Sequence, residues 1–210
     1  MQHYGLGENM KWSLWFGLAL SMSLVVPGCV AVRDKSVTNL LQHDAAVAHL
    51  VEACGYPTAF RNMARNFVAQ SKAPINDDDA KFQMMEERIA SASPHQLTPS
   101  IVNAFSKYIS TQDAESVANM FESSAGQKII ASSSQGTIHS VGVDFSVLAA
   151  KLGLTEADKE TMMRYAQTPA WQHYRQMVAN PQVANTIMIN ILHSNLFTPE
   201  ERKVLLGPNG

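Results

Sequence analysis

Cysteine is nearly missing from this chain. Two residues in 210, Cys29 and Cys54, cannot build a disulfide framework, so packing must hold the fold. An excess of charge is missing too. With 16 basic and 18 acidic residues the formal net charge is −2, which leaves nothing to hold a polyphosphate backbone and argues against nucleic acid as a partner. No run alternates with period two between glycine and asparagine turns, so strands are not expected. The 7 histidines include no pair three or four residues apart, and neither His-Glu-x-x-His nor Cys-x-x-Cys occurs. No metal or cofactor is therefore expected. A Gly-x-Ser-x-Gly elbow and a phosphate-binding glycine loop are also missing, and the sequence predicts no catalytic residue.

The long apolar run lies at the start. Trp12 to Val26 is apolar apart from Ser13, Ser21 and Ser23, follows Lys11, and runs into Pro27-Gly28-Cys29. That is the order of an export signal over residues 1–28, with residues 1–9 readable as an upstream extension before Met10. Val26-Pro27-Gly28-Cys29 resembles a bacterial lipoprotein box, which makes Cys29 the candidate lipidation site. Val30 after it then favours the outer membrane, with the lipid as the membrane anchor. Cleavage after Ala31 to give a periplasmic protein, or retention of the run as an uncleaved anchor, are the competing readings. The last needs roughly 20 apolar residues and has Pro27 near its end.

Residues 36–210 read as a single all-helical domain, a compact bundle of about seven to nine helices joined by short capped turns. Val37, Leu40, Leu41, Val47, Ala48, Val51 and Cys54 share one helix face, and Gly55 supplies the stop. Pro57 opens a second helix that buries Phe60, Met63, Ala64, Phe67 and Val68 and turns Arg61 and Arg65 outward. Asp77-Asp78-Asp79 lacks the alternating ligands and closing glutamate of a calcium loop, and reads as a helix start. Phe82, Met85, Arg88 and Ile89 continue that helix until Pro94 ends it. A capping side chain followed by proline then recurs at Thr98-Pro99, Thr168-Pro169, Asn180-Pro181 and Thr198-Pro199, which predicts four helix starts. Ser110 to Asp113 and Thr155 to Asp158 are capping-box candidates. Ala131 to Gly142 has weak helix propensity and reads as a loosely favoured helix or a loop near Gly136.

One pattern occurs twice. Glu115, Ser116, Glu122, Ser123, Ala125 and Gln127 match Glu160, Thr161, Gln167, Thr168, Ala170 and Gln172 at an offset of 45 residues. Each copy is a helix, a Ser/Thr break and a second helix, giving a degenerate repeat with halves near 98–135 and 155–194. In the first copy Ser123-Ser124 would end one helix and cap the next, Gly126 would allow close helix approach, and Lys128 would face solvent.

Leu97-Thr98-Pro99, Tyr108-Ile109, Asp113-Ala114-Glu115 and Phe121-Glu122-Ser123-Ser124-Ala125-Gly126-Gln127-Lys128 together resemble the bacterial exported family called domain of unknown function twenty fifty-nine. Glu122 stands where that family often has Tyr, and Ser124 where it often has Pro. The second copy restores the proline as Pro169 and has Trp171 in place of Gly126. The resemblance implies a periplasmic or envelope-associated helical protein and brings no catalytic residues with it.

The 11 methionines suit core filling, because adjacent pairs such as Met162-Met163 point about 100° apart on a helix and share no site. If a ligand groove exists, Met162, Trp171 and Tyr174 are its candidate lining. The sequence thus favours a non-enzymatic cell-envelope module that binds an envelope protein or an apolar small ligand. The alternative is an envelope hydrolase using His139 and Asp144. Cys54, with no nearby cation to lower its pKa, is expected to be a buried free thiol.

Overall fold

A computed structural model describes residues 37–71, 76–134 and 150–207. They form an all-α bundle. Ten helices occur among the described residues, one more than the upper expectation: α1 Val37–Ala53, α2 Tyr56–Gln70, α3 Asp77–Ser91, α4 Pro94–Phe105, α5 Thr111–Glu122, α6 Ser124–Ser134, α7 Glu156–Ala166, α8 Pro169–Ala179, α9 Pro181–Leu192 and α10 Pro199–Leu206. The principal packings set α1 against α5 and α4, α2 against α3, α4 against α9, and α5 against α8. Among the described residues no helix is long and apolar enough to cross a membrane.

Local chemistry sets most of the boundaries. Gly55 ends α1 at φ 64, a left-handed conformation that strains any residue with a Cβ. The side chain of Asn76 accepts the amide of Asp79 at 2.8 Å and opens α3, whose first turn holds all three aspartates near the positive end of the helix dipole. Thr168, Asn180 and Thr198 cap α8, α9 and α10 as expected, each followed by proline. The fourth start falls elsewhere. Gln96 folds back to accept the Ser93 amide at 2.8 Å, so α4 begins at Pro94, and Pro99 lies inside the helix. Ser93-Pro94 offers the same cap-plus-proline chemistry five residues earlier, and the Thr98 hydroxyl donates back to the Pro94 carbonyl at 3.0 Å.

The buried face of α1 starts later than its periodicity suggests. Leu40 and Leu41 are exposed, whereas His43, Val47, Leu50 and Val51 are buried. His43 is itself a tertiary tie. Its Nε2 lies 2.9 Å from the Ser106 carbonyl, which can only accept, so Nε2 carries the proton; Nδ1, 3.0 Å from Thr111 Oγ1, is free to accept that hydroxyl. The imidazole thereby fastens the α4–α5 turn to α1.

The break between α5 and α6 is tight. A Cβ on Gly126 would lie 2.3 Å from the Met120 carbonyl oxygen and 2.5 Å from the Phe121 Cα, all backbone atoms of the preceding helix. Neither can move without unwinding the last turn of α5. Gly126→Ala is therefore expected to destabilise the fold by about 1–3 kcal/mol, the usual range for overpacking, as read from the urea midpoint. An unchanged midpoint would show that the joint has slack.

Candidate functional site

The two copies of the repeated pattern correspond to α5–α6 and α7–α8, and their breaks use the same bonds. Ser123 Oγ donates to the Met120 carbonyl at 2.6 Å and accepts the Gly126 amide at 3.2 Å. Thr168 Oγ1 donates to the Tyr165 carbonyl at 2.7 Å and accepts the Trp171 amide at 3.2 Å. One hydroxyl thus satisfies a C-terminal carbonyl of one helix and an N-terminal amide of the next. The helix starts match as well. Ser110 accepts the Asp113 amide at 3.1 Å and Thr155 accepts the Asp158 amide at 3.2 Å, again 45 residues apart.

The copies also hold each other. Asp113 Oδ2, in the first turn of α5, is 3.0 Å from His173 Nδ1 on α8. Asp158 Oδ2, in the first turn of α7, accepts Lys128 Nζ of α6 at 2.6 Å. Lys128 and His173 occupy equivalent positions, as do the two aspartates, so the second bond is the first with the copies exchanged. Helix packing follows the same rule, with α5 on α8 and α6 on α7. This is the contact pattern of a local two-fold axis. Lys128, expected to face solvent, is instead the cross-link, and its ammonium also donates to the Gly153 carbonyl at 3.0 Å.

Asp158 is buried and fully bonded. Besides Lys128 it accepts the Thr155 amide at 3.0 Å, the Thr155 hydroxyl at 2.9 Å and the Ser124 hydroxyl. The Lys128 ammonium first, then these donors, hold its carboxyl far below the usual carboxylate range despite burial.

Of the expected groove residues, Trp171 and Tyr174 come together in the interface between the copies. Their rings stack with centroids 5.5 Å apart, and Phe121 of α5 meets Trp171 at 5.9 Å and Tyr174 edge-on at 5.7 Å. Phe121 and Tyr174 are buried, whereas Trp171 is half-buried at the rim. Met162 is half-buried on α7, which packs against α8. The polar end of Tyr174 reaches the Cys54 thiol inside the bundle. Cys54 is half-buried with Sγ turned to the Val51 carbonyl at 3.5 Å, and desolvation pushes its thiol up to about 11, well away from a reactive thiolate. Cys29, His139 and Asp144 lie outside the described residues.

A residue the periodicity argument passed over stands out. Glu86 on α3 is fully buried, and neither carboxylate oxygen has a hydrogen-bond partner. Desolvation pushes its pKa up to about 8, so the group is largely a neutral acid at pH 7. The signal was present, since Glu86 falls four residues after Phe82 and three before Ile89, on the apolar stripe. Arg88, which the sequence places with that stripe, is exposed and pairs with Glu201 of α10. Arg61, expected outside, is half-buried with its Nε shielded and unpartnered. Among the described residues no group of three or more His, Cys, Asp or Glu side chains could hold a metal ion.

No family model, curated protein or solved structure matches this chain.

The depressed Asp158 gives a pH prediction with a definite sign. A carboxylate whose folded pKa lies below its unfolded value of 3.8 contributes stability that is present above 3.8 and lost as pH falls toward the folded value. Melting temperature should therefore drop on acidification below that point. Asp158→Asn should melt lower at neutral pH and lose most of this acid slope, and Lys128→Met should behave similarly. Parallel acid slopes in wild type and Asp158→Asn would remove Asp158 from the account.

Proposed function

We propose that the chain is an exported cell-envelope protein of the domain of unknown function twenty fifty-nine type, in which the helical bundle binds an envelope protein or an apolar small ligand rather than catalysing a reaction. The observation that supports this reading most is where the convergent polar side chains go. Asp113, Asp158, Ser123, Thr168 and Glu201 each sit on a helix end, and His43, Lys128 and His173 bind those ends or the turns beside them. Groups spent on orphan backbone donors and acceptors serve architecture. What such a module offers a partner is its apolar side chains.

An apolar ligand would meet this module at the rim of the repeat interface, where Trp171 is half-exposed with Tyr174 stacked behind it, and half-exposed Met162 on the adjoining α7 is the further lining candidate. The envelope location rests on the apolar run from Trp12 to Val26 and on Cys29. A lipid on Cys29 would hold the bundle at the membrane, with Arg33-Asp34-Lys35-Ser36 as a short polar tether.

Native mass spectrometry of the full chain, recovered from the membrane fraction of an expressing bacterium, tests location and ligand together. The expected species begins at Cys29 with a lipid-sized mass increment, and Cys29→Ser moves the protein out of that fraction. Any retained small molecule should be lost in Trp171→Ala. Recovery from the cytoplasm with residues 1–28 still attached would overturn the envelope reading.

A further inference from the structure

Glu86 has no role in the repeat, in any helix cap or in the ligand reading, and its burial without a partner is costly. It sits in the middle of α3, between the contacts that hold that helix down. Phe82 meets Phe67 of α2 edge-on at 4.9 Å on one side of it. On the other side Arg65 Nε of α2 donates to the Ala90 carbonyl at 2.9 Å, and Arg88 pairs with Glu201. The helix packs mainly on α2 and more lightly on α10, so it lies at the edge of the bundle. We propose that Glu86 makes α3 a pH-operated latch, seated against α2 while the carboxyl is protonated and released when it ionises.

The neighbouring charges do not relieve an ionised Glu86. On α2, Arg65 is committed to Ala90, and Arg61 has its Nε buried but makes no ion pair with Glu86. On α10, Glu201 is taken by Arg88 and by its own cap on Thr198, and Arg202 donates to the His193 carbonyl at 3.2 Å. Glu200 and the exposed Lys203 complete the charged set on that helix. On α3 itself Lys81 pairs with exposed Asp78, Glu87 accepts from Gln83, and Asp77 and Asp79 open the helix near its N-terminus. An ionised Glu86 therefore gains its solvation from water, and water reaches it only when α3 lifts.

The sign follows from linkage. Burial raises the carboxyl from its ordinary 4.5 to about 8 in the seated state, so seating takes up a proton across that interval. Seating is most favourable below 4.5 and loses about a factor of ten per pH unit as pH rises, levelling off above about 8. Amide hydrogen exchange read by mass spectrometry on the full chain, corrected for the intrinsic pH dependence of exchange, resolves this helix by helix. In wild type, protection of residues 77–91 should fall about tenfold per pH unit from pH 6 to pH 8 while that of α1 and α5 holds. Glu86→Gln should flatten the α3 profile. Glu86→Leu provides the same readout if the amide does not fold. A flat wild-type profile, a fall of equal size in α1 and α5, or an equal fall in the folded variant would each overturn the latch.

Discussion

The bundle depends on one demand: every helix end buried in it must find partners for its unpaired backbone groups without help from water. Asp158 shows how the demand becomes architecture. Its carboxylate caps its own helix by accepting from Thr155, and the lone pairs left over draw Lys128 and Ser124 in from the neighbouring copy. The local cap and the tertiary cross-link are the same atoms. Asp113 repeats the arrangement with His173, so the helix ends of one copy are completed by side chains of the other.

Glu86 supplies the contrast. Like Asp158 it is a buried carboxyl, yet it has no donors, and the two pKa values move in opposite directions. Burial alone does not decide whether a carboxylate supports a fold. The number of donors aimed at it does.

That distinction also marks how much was legible in the sequence. Caps are local: Thr155, Thr168, Asn180 and Thr198 bind amides two or three residues away, and their helix starts could be read from residue types alone. The Ser123 and Thr168 joints were legible for the same reason. Where two caps compete at close range, as Ser93 and Thr98 do, residue types pointed to Thr98-Pro99, and the side chain of Gln96 fixed the start at Ser93-Pro94 instead. Periodicity found core residues such as Val47, Val51, Phe60, Ala64, Met85 and Ile89 but also counted Leu40, Leu41 and Phe67, which are exposed. It could not tell which charged residue intrudes on the α3 stripe, because Glu86 and Arg88 are two positions apart and their burial depends on how α3 turns against α2 and α10. The long reach of Lys128 to Asp158 spans 30 residues and could not be read from spacing. Trp171 and Tyr174 lie three residues apart on one helix, but spacing could not show that Phe121 packs against both rings.

The position shared by Gly126 and Trp171 sets the two copies apart. At the first joint a bare Cα lets the incoming helix press against the backbone of the outgoing one. At the second, an indole fills the corresponding position and stacks into the aromatic cluster. The copies have ceased to be interchangeable. Trp171→Gly would leave a void where the indole packs, and Gly126→Trp would drive a side chain into the Met120 carbonyl. The asymmetry at a single residue type thus gives a near-symmetric pair of helical hairpins one way round in which to fit.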